Sequence, residues 1–93
     1  MSVRHLFPLG HVVATPGAIE VMTRLQIGPA RLLDRHVSGD WGDIHPEDRG
    51  LNEEALRSGE RIFSVYGPDG ADRLWVITEA DRSSTCILRP EDY

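Results

Sequence analysis

Arg61-Ile62-Phe63-Ser64-Val65-Tyr66, then Gly67-Pro68-Asp69-Gly70, then Arg73-Leu74-Trp75-Val76-Ile77-Thr78-Glu79 is the passage on which the fold turns. The first segment alternates with a period of two and favours β-branched and aromatic side chains, so it predicts a strand. Gly-Pro-Asp-Gly is turn chemistry. The next segment is apolar through Leu74-Trp75-Val76-Ile77, the pattern of a strand covered on both faces, and it predicts a central place in a sheet. Ala80-Asp81-Arg82-Ser83 turns the chain into a strand from Ser84 to Arg89, which Pro90 stops. Connections this short join antiparallel neighbours, so the passage predicts a three-stranded antiparallel meander. Trp75 is expected to be largely buried on one sheet face. Phe63 or Val65 should flank it on one side and Cys86 or Leu88 on the other.

Upstream the period changes. Leu9-Gly10-His11-Val12-Val13-Ala14 reads as a short strand, and Thr15-Pro16 as a helix start with a hydroxyl cap and proline at the first helical position. Ile19, Met22 and Leu25 predict the apolar face of that helix. Gly28-Pro29 ends it and opens a second, with Leu32, Leu33, His36 and Val37 on one face and a close at Ser38-Gly39. His45-Pro46-Glu47-Asp48 starts a third, with two carboxylates where the helix dipole favours negative charge. Asp43 or a neighbouring group is expected to cap it. Leu51, Ala55 and Leu56 form its expected buried stripe, and Gly59 ends it. The prediction is an α+β fold: a short N-terminal strand, three helices, then the meander, with one layer of helices on one sheet.

The 93 residues make a single domain, 1–93, too short to build a second core. No apolar run approaches the ~20 residues of a membrane span, and the opening Met1-Ser2-Val3-Arg4-His5 has no signal-like apolar stretch. The single Cys86 can staple nothing within the chain, so a cytoplasmic setting is expected, with Cys86 as a small core residue. The formal charge of −5 argues against direct nucleic-acid binding, which needs a positive footprint. It suits a protein partner with a basic surface, and no cofactor is called for.

Between the second and third helices lies His36-Val37-Ser38-Gly39-Asp40-Trp41-Gly42-Asp43-Ile44-His45, the richest run of polar function in the chain. His36, Asp40, Asp43 and His45 are a conceivable divalent-metal set, since imidazole with carboxylate suits zinc or manganese and could activate water. The bland alternative makes His36 a half-buried histidine, Trp41 a core lid and the aspartates caps. Around the last hairpin, Glu79, Arg82 and Thr85 with a histidine could run general acid–base cleavage of RNA, with arginine steadying the phosphorane. No nucleophile elbow, phosphate loop or dinucleotide fingerprint occurs.

Three segments carry a resemblance: Leu6-Phe7-Pro8-Leu9-Gly10-His11-Val12-Val13-Ala14-Thr15-Pro16-Gly17-Ala18, Gly39-Asp40-Trp41-Gly42-Asp43, and Trp75-Val76-Ile77-Thr78-Glu79-Ala80-Asp81-Arg82-Ser83-Ser84-Thr85. In these the chain resembles a family of small bacterial proteins encoded on plasmids and integrated mobile elements, labelled "plasmid-related protein". The resemblance implies a mobile-element setting and no particular chemistry. The resulting expectation is a non-enzymatic accessory or binding protein of a mobile genetic element that acts through a protein partner. Its expected contact surface is Asp40, Trp41 and Asp43 with Glu79, Asp81 and Arg82, tryptophan giving contact area and the charges steering a basic partner. The alternative is a small hydrolase or nuclease, metal-dependent through His36, Asp40, Asp43 and His45 or metal-free and ribonuclease-like.

Overall fold

A computed structural model describes residues 4–93, so the first three residues of the opening stretch read for a targeting signal lie outside the described residues. The chain runs β1 (His11–Ala14), α1 (Pro16–Leu25), α2 (Pro29–Val37), α3 (Pro46–Ser58), β2 (Ile62–Tyr66), β3 (Leu74–Thr78), β4 (Ser84–Leu88) and a short 3-10 turn (Pro90–Asp92). This is the expected α+β order, with helix starts at Pro16, Pro29 and Pro46. Thr15 caps α1 by accepting from the Ala18 amide at 3.1 Å, and its own hydroxyl donates to Asp92 at 2.7 Å, tying the turn after β4 to the start of α1.

The sheet is larger than the meander. Its order is β1-β4-β3-β2, with β2-β3-β4 antiparallel and β1 parallel to β4, pairing Val12 with Thr85 and Val13 with Cys86. The short apolar opening strand finds its place on the far side of β4, which the antiparallel hairpins leave open. Gly10 (φ 66°) permits the approach, because a Cβ there would run into the Ser83 carbonyl.

One sheet face carries the helices. Tyr66, Leu74, Val76 and Ile87 point into a core shared with Ala18, Val21, Met22 and Leu32. A second cluster gathers Phe7, Val37, Trp41, Ile44, Ala55, Ile62 and Val65 around the β2 side. In α1, Ala18 and Val21 are buried with Met22, whereas Ile19 is 52% exposed; the small Ala18 is what lets the helix lie close over β4. In α3, Asn52 is buried with Ala55 while Leu51 is 63% exposed, so the expected Leu51 stripe is rotated by one residue.

The reason for that rotation is the outer edge of β2. The Asn52 carboxamide donates to the Phe63 carbonyl at 2.6 Å and accepts from the Phe63 amide at 3.1 Å, as a neighbouring strand would. Two residues on, the Val65 amide donates to the Trp41 carbonyl at 3.0 Å and the Val65 carbonyl accepts from the Asp43 amide at 2.8 Å. Gly42 (φ 73°) allows this docking, since a Cβ would strike the Val65 carbonyl. The edge of β2 is therefore closed by a side chain and a loop.

Trp75 pairs with Val65 and Leu88, and packs edge-on to Phe63 at 5.1 Å, all expected neighbours. It is only half-buried, however. Its neighbours Leu74 and Val76 take the helix side, so strand alternation sends Trp75 to the face without helices.

Asn52→Ala leaves the Phe63 amide and carbonyl unpaired at a buried edge and should cost about 1–3 kcal/mol. Thermal melting should fall by roughly 4–8 °C for each kcal/mol, while Leu51→Ala stays near wild type. Equal melting of Asn52→Ala and wild type would refute edge closure by this side chain.

Candidate functional site

Under the helices a chain of buried polar side chains crosses three strands. His36 at the end of α2 places Nδ1 2.6 Å from the Ser64 hydroxyl on β2 and Nε2 2.9 Å from the Thr78 hydroxyl on β3. Thr78 lies 2.7 Å from the Thr85 hydroxyl on β4, and Thr85 donates to the Leu9 carbonyl at 2.7 Å. All four side chains have no solvent exposure, and among the described residues no buried side-chain polar atom is left unpaired. Proton directions follow from the Leu9 end. A carbonyl only accepts, so Thr85 spends its proton there and must accept from Thr78. Thr78 then accepts from His36 Nε2–H, and the bare Nδ1 accepts from Ser64.

His36 is thus a neutral Nε2–H imidazole. Burial pushes its pKa from the ordinary 6.5 down to about 3. Phe7 and Trp41 close over it with ring centroids at 5.3 and 6.1 Å, both edge-on. A histidine beside a serine can activate a nucleophile, but here both groups lie beneath the rings and strands that enclose them, where no substrate reaches. The network holds the fold together.

The structure scatters the sequence-derived metal set. His36 is sealed in the core, and His45 caps α3 by accepting from the Glu47 amide through Nδ1 at 3.2 Å. Asp43, expected as a possible cap, instead pairs with Arg73 at 3.2 Å, so the cap falls to its neighbour. Asp40 accepts from Arg35 at 2.8 and 3.3 Å, and that hydrogen bond holds its pKa down. Among the described residues no three His, Cys, Asp or Glu side chains are gathered for a metal.

The expected contact surface is also divided. Trp41 is 1% exposed, packed beside Phe7 with its indole N–H donating to Glu53 at 3.3 Å, so it offers a partner no area. It is the core lid. Arg82, in a left-handed conformation (φ 61°), donates to the carbonyls of Ala55, Glu60, Glu79 and Ala80 and so fastens the last hairpin to the end of α3. The Ser83 hydroxyl, and then the Ser83 amide that donates to Asp81 at 3.0 Å, lower the Asp81 pKa. Thr85 is buried in the polar chain, away from the exposed Glu79. Asp40 and Asp43 sit by the Val65 end of β2 and Glu79 to Arg82 by its Ile62 end, so the two groups do not form one surface.

The uncovered sheet face is what remains. Phe63, Trp75, Ile77, Cys86 and Leu88 line it, and Tyr93 lies across it, 5.8 Å from Trp75 and 69% exposed. Arg61 donates to the Tyr93 hydroxyl at 2.5 Å and rests over its ring. Tyr93 divides the face into clefts of about 320 and 260 Å³, the first bordered by Asp48 and the exposed Leu51, the second by Glu79. Glu79 is the one residue of the expected surface that lines it. The continuous apolar run of β3 hid this face, because such a run does not say that one side lacks a cover.

Neutral His36 has a pH signature. The unfolded chain binds a proton at this side chain below about pH 6.5 and the folded chain does not until about pH 3. Stability from this group therefore falls as pH drops through that window, by up to ~1.4 kcal/mol per pH unit. Between pH 7.5 and 5.5, wild type should lose more melting temperature than His36→Gln; an equal loss would refute a neutral buried imidazole. Compared with protein-family models, with curated proteins and with solved structures, the chain matches none.

Proposed function

We propose that this chain is a non-enzymatic binding module that docks a protein partner on its uncovered sheet face. The observation that carries the reading is the aromatic cluster Phe63, Trp75 and Tyr93, flanked by exposed Leu51, on a sheet face that none of the described helices covers. Large apolar patches rimmed by polar groups are characteristic of interaction sites. Tryptophan and tyrosine beside an arginine are the residue types that carry most binding energy at such sites.

The rim selects the partner's chemistry. Asp48 borders one cleft and Glu79 the other, while Arg61 is engaged by Tyr93. The fitting partner is a protein segment that seats an aliphatic or aromatic side chain beside Trp75 and carries lysine or arginine on either side. The net charge of −5 favours the same choice and disfavours nucleic acid. The mobile-element setting rests on the resemblance of the three quoted segments and makes this an accessory protein of such an element.

A photo-reactive side chain at position 51 should crosslink the partner in the producing cell. Purified, that partner should bind Tyr93→Ala at least ~10-fold more weakly than wild type, as expected for a hot-spot aromatic. Binding to Asp43→Asn, on the surface without an exposed tryptophan, should stay within about twofold. A folded Tyr93→Ala that binds like wild type, or no crosslinked protein at position 51, would overturn the proposal.

A further inference from the structure

The two edges of the sheet are built differently. At β2 the outward backbone groups of Phe63 and Val65 are all paired, by Asn52 and by the Trp41–Asp43 loop. At β1 the His11 and Thr15 amides donate to Ser83 and Ile87 on the β4 side, so by strand alternation Val12 and Ala14 turn their N–H and C=O outward. Among the described residues no backbone partner meets those groups, and Val12 and Val13 are 45% and 52% exposed. An open edge with exposed valines is a template for another strand.

We infer that β1 is a self-association surface, through which two copies of this chain pair antiparallel about a two-fold axis at Val13. In that register Val12 faces Ala14 of the second copy. The Val12 N–H donates to its carbonyl and the Ala14 N–H returns the bond, and the axis repeats both. Every outward group of β1 is then satisfied. Val13 meets its own copy on the uncovered face, and Val12 lies among the helices.

The surroundings fit a second copy. The groove of about 320 Å³ beside the edge is lined by Val12, Ile19, Met22, Thr23, Ile27 and Pro29 with no charged side chain, in a chain that is 27% charged and carries −5 overall. Two copies meeting at this groove set no charged side chain of its lining against another. Ile19, the exposed apolar residue of α1, flanks the edge and would approach its counterpart across the axis. The closed β2 edge fixes the outcome. A second copy cannot add β1 to β2, so the pairing is isologous and stops at a dimer, not a fibre. This inference is independent of the partner-binding face, which the dimer leaves open.

Sedimentation equilibrium of the full chain tests it. Wild type should be a concentration-dependent dimer. Val12→Pro, which removes an outward N–H that β4 does not use, and Ile19→Lys, which places a charge beside the axis, should both be monomers. Ile19→Lys should melt like the wild-type monomer at low concentration, which decides the matter if Val12→Pro fails to fold. Leu51→Ser, on the other flank of the molecule, should remain a dimer. A wild type that stays monomeric up to ~1 mM, the range of weak binding, would overturn the inference. So would a dimer that survives Ile19→Lys, or one abolished by Leu51→Ser.

Discussion

The structure depends on a proton-ordered chain of hydrogen bonds through one neutral histidine. His36 joins α2 to β2 and β3, and through Thr78 and Thr85 the link passes to β4 and to the backbone leading into β1. A hydrophobic core fixes which faces meet but tolerates sliding; a polar chain with one allowed proton arrangement tolerates little. Removing any member leaves a buried donor or acceptor without a partner, which costs more than the bond contributes when made. Trp41 and Phe7 keep water from competing for these groups, so the aromatic lid and the polar chain depend on each other.

The same lid explains the asymmetry of the sheet. The loop that brings Trp41 over His36 also lays its backbone against Val65, and α3 follows it to place Asn52 on Phe63. Closure of the β2 edge is thus a consequence of how the polar chain is sealed. All the helices are committed to one face and this edge. What is left uncovered is the opposite face, with Trp75 and Tyr93, and the β1 edge, with Val12 and Val13.

Local chemistry made much of the fold legible in the sequence. Thr15-Pro16, Gly28-Pro29 and His45-Pro46 mark helix starts because proline at the first helical position leaves few alternatives, and the short connections after Tyr66 and Thr78 favour an antiparallel meander. The parallel pairing of β1 was not legible, since nothing local tells a short strand which edge it will join. The two readings of the loop after α2 could not be separated in the sequence for a related reason. Gly39, Gly42, Asp40 and Trp41 look like an exposed functional loop, yet the glycines take positive φ so that the backbone can dock and the tryptophan can turn inward. Polar residues that settle a fold and polar residues that meet a ligand have the same composition. Only the partners of each side chain separate them.

The fold hinges on the protonation state of His36, and nitrogen NMR of the imidazole ring reads it directly. With Thr85 bound to the Leu9 carbonyl, the ring should show a protonated Nε2 and a bare, hydrogen-bonded Nδ1, and the signals should hold from neutral pH down through pH 5. A ring protonated at Nδ1, or one that becomes imidazolium with a midpoint near the ordinary 6.5, would contradict the proton-ordered chain.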